Sequence, residues 1–191
     1  MGPRFAPWRV IDRRQVFEVP NRIELAIETV ELPDGRIVDD YWQVRLRDFV
    51  VVFAETEAGE VICLRQYRHG PRCESLELVA GLIELGDQPQ ATAQRELLEE
   101  SGFVSVDWRL LGTYTVSAAQ GIANVHVFGA RTAVRQQEPS SGDLEDAVVE
   151  LLSRDQLVAA LHKGEVVVGA HLAALALALL GVDPPGKGGA R

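Results

Sequence analysis

The chain has 191 residues, 47% of them hydrophobic, with a formal charge of −9 from 19 basic and 28 acidic side chains. That composition supplies a core for one domain with an extension and excludes a disordered chain. The acidic balance argues against nonspecific binding to nucleic acid, but arginine clusters or bound cations still permit a small anionic ligand.

Met1–Trp8 contains no apolar stretch of secretory-signal length, so a cytoplasmic protein is expected. Gln15–Val19 and Ile23–Leu32 are strand-like, Pro33–Arg36 is a turn, and Ile37–Arg47 is a returning strand. Phe49–Ala54 is an unbroken apolar run of strand length, joined through a Glu57–Glu60 turn to Val61–Arg65. Such runs predict strands buried on both faces. Cys63 and Cys73 form no disulfide framework and read as a buried small residue and a loop thiol.

A helix is expected over Pro89–Ser101, with Asp87 as its cap, Pro89 in its first turn and Gly102 at its end. Strands follow at Trp108–Thr115 and Ala123–Ala130, then a polar loop at Gln137–Asp146 and a short strand at Val148–Leu152. Ser153 caps a helix over Arg154–His162 that Gly164 ends, and a last helix covers Ala170–Leu180. The apolar run Gly169–Val182 contains His171 and falls short of the ~20 residues of a membrane span. No membrane association is expected. The order of elements suggests an α+β fold, with a mixed sheet between helices. Regular βαβ alternation is absent, which disfavours a dinucleotide-binding fold.

The segment Arg95-Glu-Leu-Leu-Glu-Glu-Ser-Gly102 carries the chemistry. On a helix, Glu96, Glu99 and Glu100 fall on or near one face. Like charges at that spacing destabilise an isolated helix by ~0.2–0.5 kcal/mol per pair. Hard divalent cations compensate such a cluster well. Taken alone, such a triplet is usually a solvated acidic face, and it is the surrounding pattern that favours cation binding. Gly81 lets backbone approach a ligand, and Arg95 is placed to orient the glutamates by charge-assisted hydrogen bonds.

With its surroundings, the segment resembles the Nudix box, Gly-x5-Glu-x7-Arg-Glu-U-x-Glu-Glu-x-Gly-U, where U is a bulky apolar residue. Gly81, Arg95, Glu96, Leu97, Glu99, Glu100, Gly102 and Phe103 match, and Asp87 replaces the first glutamate. Chance agreement is on the order of 10⁻⁷ or less per start position. Leu64-Arg-Gln-Tyr-Arg-His-Gly70 and Leu76-Glu-Leu-Val-Ala-Gly81 further resemble the ADP-ribose pyrophosphatase branch, with Val79 in place of a usual proline.

This resemblance implies a Nudix fold with an N-terminal antiparallel β extension. It divides the chain into 1–48, dimer-forming, 49–182, the hydrolase domain, and 183–191, a flexible tail. It implies Mg²⁺ or Mn²⁺ held by the Ala80 carbonyl, Glu96, Glu99, Glu100 and Glu145. Glu145 matches a carboxylate from a mobile acidic loop, with Asp143 and Asp146 as neighbours. Either Glu145 or a helix glutamate would accept the proton of the attacking water. Arg95 would support catalysis, and Arg65, Arg68 and Glu77 would bind substrate. The partner classes implied are a nucleoside diphosphate sugar and a second copy of the chain; Trp8, Phe17, Tyr41 and Trp42 are candidates for stacking or interface packing, with ordinary core packing the alternative for each. His126 reads as a core or supporting histidine. The loop Ser117–Gly121 lacks a proline associated with ADP-ribose preference, which leaves GDP-mannose, a dinucleoside polyphosphate or non-catalytic ADP-ribose binding as alternatives.

Overall fold

A computed structural model of the chain describes residues 5–140, 142 and 146–181. The expected tail at 183–191 and the residues Asp143 and Glu145 lie outside the described residues. The chain divides into two compact units, Met1–Arg47 with Thr115–Asn124, and Asp48–Tyr114 with Val125–Arg191.

The first unit is an antiparallel meander of β1 (Arg9–Val19), β2 (Ile23–Glu31) and β3 (Ile37–Leu46). β1 starts at Arg9, earlier than its apolar pattern shows, because its leading half is held by charge. Arg13 pairs with Glu24 at 2.6 Å and Glu28 at 2.8 Å, and Arg9 pairs with Glu31. Such cross-strand pairs favour a strand that periodicity cannot reveal. Trp8 meets Tyr41 edge-on at 5.5 Å. The Tyr41 hydroxyl donates to the Ala119 carbonyl at 2.8 Å, and the Leu46 amide donates to that of Ile122 at 2.8 Å. These bonds fasten the Ser117–Gly121 loop, whose own turn closes by the Gly121 amide on the Ser117 carbonyl.

The second unit contains β4 (Phe49–Thr56), β5 (Val61–Arg68), β6 (Cys73–Leu82), β7 (Phe103–Val104), β8 (Asp107–Val116), β9 (Ala123–Arg135) and β10 (Ala147–Leu152). Its sheet runs β10-β5-β6-β4-β9-β7, with β8 against β9. β4 is parallel to β9 and antiparallel to β6, so the sheet is mixed. Val50–Ala54 are buried throughout, as their unbroken apolar run predicts. Among the described residues, the α-helices of this unit are α1 (Pro89–Glu96), α2 (Arg154–Lys163) and α3 (Gly169–Leu179).

β6 is absent from the pattern reading, yet it organises the sheet. Cys73–Leu78 pairs with β5, and Val79–Leu82 pairs with β4. β4 and β5 meet only at Glu55 and Val61, so the sheet forks. Two β6 amides lack a strand partner at this fork. Leu76 donates to the Glu165 carbonyl at 2.8 Å, and Leu78 donates to Nδ1 of His171 at 3.1 Å. Buried amides require such partners.

The core gathers Val50, Val52 and Ala54 of β4, Ile62 and Leu64 of β5 and Val79 of β6 beneath Ala93 and Leu97. Ala93 and Leu97 are four residues apart, which gives the helix one apolar stripe. Full burial of Leu97 contributes about 1.5–3 kcal/mol and fixes the helix over the sheet.

Two details depart from expectation. Gln88, not Asp87, is the N-cap, and it makes no side-chain cap bond. The residue before a proline is driven extended, and Pro89 at the first helical position has no amide to satisfy. Asp87 instead closes a turn, its amide donating to the Glu84 carbonyl at 3.0 Å. The helix also does not continue as α to its end. Leu97–Ser101 widens into a π-helical turn, a feature frequent at functional sites.

Candidate active site

Glu96, Glu99 and Glu100 sit where α1 passes into the π turn. Oε2 of Glu100 accepts the Ala80 amide at 3.0 Å. A β-carbon on Gly81 would lie 2.1 Å from the Glu96 carboxylate. The end of β6 and the acidic turn therefore meet at backbone range, which glycine alone permits. Arg95 bridges Glu96 at 2.7 Å and Glu99 at 2.8 Å. Burial opposes its charge, but the Glu99 hydrogen bond and both carboxylate charges hold its pKa above the ordinary arginine value.

The far end of this turn is pinned by backbone. Gly102 is left-handed with φ +78°, and a β-carbon there would meet the Gln137 carbonyl at 2.1 Å. Gln136 and Gln137 donate their amides to the Gly102 carbonyl, and Ser140 donates to that of Glu99 at 2.7 Å. The acidic loop thus leaves directly from the glutamate turn. Asp146 is exposed at its other end.

Among the described residues, no three acidic, His or Cys side chains already converge as a finished cation cage. Glu96 and Glu99 turn oxygens toward Arg95. The donor set still suits a hard divalent ion, being carboxylates and backbone oxygen throughout, and the Gly81 cradle admits the close packing of Glu96.

The two arginines of β5 separate. Three residues apart on a strand, they point to opposite faces. Arg65 contacts Glu150 at 2.6 Å, Glu165 at 3.0 Å and Glu74 at 3.5 Å. The Glu150 hydrogen bond leads in raising its pKa. This guanidinium ties β5 to β10 and to the segment before α3. Arg68 instead reaches Glu77 through Nε at 3.0 Å and Nη2 at 2.8 Å.

Glu77 is fully buried on β6. Its Oε2 receives Arg68, Gln66 at 3.4 Å and His171 Nε2 at 3.2 Å, while its buried Oε1 has no partner. The sequence reading named Glu77 and Arg68 as substrate contacts; the structure joins them to each other and to Gln66 and His171, which that reading did not name as site residues. The signal for His171 was a single imidazole in an apolar helix, since a buried polar group needs partners. His126 is half-buried, with Nδ1 3.0 Å from the Thr113 hydroxyl, and burial lowers its pKa despite the opposing charge of Asp48. Cys63 is buried and its thiol is pushed up to about 12, mainly by burial, so it is inert.

A glycine-cradled glutamate turn following a forked mixed sheet defines a class. The NUDIX domain model matches residues 44–172, and the chain belongs to the Nudix family. It is a Nudix pyrophosphohydrolase of the ADP-ribose pyrophosphatase-like branch. It is 32% identical over 144 residues to the ADP-ribose pyrophosphatase of Bacillus subtilis (strain 168), covering 75% of this chain and 76% of that protein. It is 30% identical over 152 residues to the methanol dehydrogenase activator of Bacillus methanolicus, covering 80% of each. The fold also superposes on the crystal structure of an ADP compounds hydrolase with a TM-score of 0.73 at 18% identity, over 93% of this chain and 95% of that one. No helix among the described residues is long and apolar enough to cross a membrane.

Proposed function

We infer that the protein hydrolyses the diphosphate bond of ADP-ribose or a related nucleoside diphosphate sugar, using Mg²⁺ or Mn²⁺. The products are a nucleoside monophosphate and a sugar phosphate. The observation that carries this reading is the meeting of Glu96 and Glu100 with the Gly81 and Ala80 backbone, beside Glu99. The ADP-ribose pyrophosphatase relative supports the substrate class.

In this reading Glu96, Glu99, Glu100, Glu145 and the Ala80 carbonyl hold the ions. Divalent ions, when bound, neutralise charge on the phosphoryl oxygens and acidify a water. Arg95 keeps the glutamates oriented. Arg68 presents its guanidinium to the diphosphate, with Glu77 fixing its direction. Arg65 is engaged by its three glutamates and serves the scaffold. Glu145, or a glutamate of the turn, accepts the proton of the attacking water. Attack is in line on phosphorus, and the protein contributes position and charge.

The N-terminal meander is the proposed dimerisation element. β1 is exposed along its whole length, and Trp8, Val10, Ile11 and Phe17 present apolar surface.

The test is product analysis on a panel of ADP-ribose, GDP-mannose and dinucleoside polyphosphates with Mg²⁺, with Mn²⁺ and with EDTA. Metal-dependent release of AMP and ribose 5-phosphate from ADP-ribose is expected. Turnover of no member of the panel would end the proposal.

A further inference from the structure

His171 touches neither the glutamate turn nor the backbone that cradles it, yet its geometry is set from both sides. Its side chain is 5% exposed. Nδ1 lies 3.1 Å from the Leu78 amide. A backbone N–H can only donate, so Nδ1 must carry its lone pair. The ring proton is therefore on Nε2, which faces Oε2 of Glu77 at 3.2 Å. The contact is a hydrogen bond from a neutral imidazole.

Among the described residues, the other partners of Glu77 come from β5: Gln66 and Arg68. His171 alone reaches it from α3. All the donors fall on one oxygen, and the second oxygen is buried without a partner. Without the imidazole, nothing from α3 opposes rotation of the carboxylate. It can then turn to meet Arg68 with both oxygens, the geometry arginine favours. The guanidinium would move with it.

We propose that His171 is a positioning residue for substrate binding, holding Glu77 on one oxygen and thereby setting the direction of Arg68. This rests on the reading of Arg68 as a diphosphate contact. His171 has two jobs, and two substitutions divide them. In His171→Asn the amide oxygen replaces Nδ1 and caps Leu78, but the side chain stops short of Glu77. In His171→Gln the amide nitrogen replaces Nε2 and restores the donor to Glu77.

The experiment measures kcat and KM for ADP-ribose with Mg²⁺, and the Kd of ADP-ribose by calorimetry in EDTA. The variants are His171→Asn, His171→Gln, Arg68→Ala and the Asn/Ala double variant, with melting temperatures for all. The expected result is a rise in KM and Kd of about tenfold for Asn, with kcat little changed, and near wild-type values for Gln. In the Arg68→Ala background the Asn effect disappears, because the two act through one contact. A folded Asn variant with wild-type Kd, or Asn and Ala effects that add, overturns the role of His171 while leaving Arg68 in place. If Arg68→Ala itself leaves KM and Kd unchanged, the reading of Arg68 fails and this inference falls with it. Loss of folding in both His171 variants also overturns it, since the role is then structural.

Discussion

The carboxylate of Glu100 accepts the amide hydrogen of Ala80 at 3.0 Å, so one side chain of the π turn is anchored on the residue whose carbonyl is the proposed ligand. Glu100 thus has a structural contact as well as the chemical role proposed for it. Glu100→Gln keeps an oxygen for the Ala80 amide and removes the charge. The expected outcome is loss of most turnover with an unchanged melting temperature, read by steady-state assay and thermal denaturation. A Gln variant at the wild-type rate would count against the assignment.

Gly81→Ala places a methyl group where the Glu96 carboxylate now packs. The carboxylate must move by an ångström or more. Displacement of that size at a reacting centre costs about 100-fold in rate. The loss should appear in kcat/KM with circular dichroism preserved. Activity within a few-fold of wild type would show that Glu96 is not held in a working position.

Gly102→Ala acts on stability. The left-handed backbone costs about 1–2 kcal/mol for a residue with a β-carbon, and the Gln137 carbonyl stands 2.1 Å from the new atom. A fall in melting temperature of about 2–4 °C per kcal/mol is expected. Denaturant titration checks it.

Arg65 and Arg68 should separate by assay. Arg65→Gln breaks contacts to Glu150 and Glu165 and should lower the melting temperature, with KM changed by less than about twofold. Arg68→Gln should raise KM. A reversed pattern would exchange their roles.

His171 gives a pH dependence of stability. Burial lowers its pKa to about 4, with Glu77 opposing and Arg68 reinforcing the shift. The unfolded chain has an ordinary histidine near 6.5, so between these values it binds the proton that the folded chain refuses. The contribution is complete above about pH 6.5, declines as pH falls toward 4, and saturates below. The shift corresponds to roughly 3 kcal/mol. Wild type should lose more stability than His171→Gln across that window, measured by denaturant titration at fixed pH steps.

The sequence by itself determined the glutamate turn. Residues three and four apart on a helix are neighbours, so the closeness of Glu96, Glu99 and Glu100 in one acidic turn was legible from spacing, while the π turn that carries two of them was not. The helix begun by Ser153 was equally local, and the reciprocal bonds of Ser153 and Gln156 are present. The buried strand Val50–Ala54 followed from its composition. Only tertiary structure decided the rest. β6 has no clean period because its two halves face different partners. The charged β1 is a strand because β2 places glutamates opposite its arginines. Leu78 and His171 stand 93 residues apart in the chain, and no spacing rule links them. They meet because a forked sheet leaves an amide without a strand partner, and a buried donor must find an acceptor wherever the fold brings one.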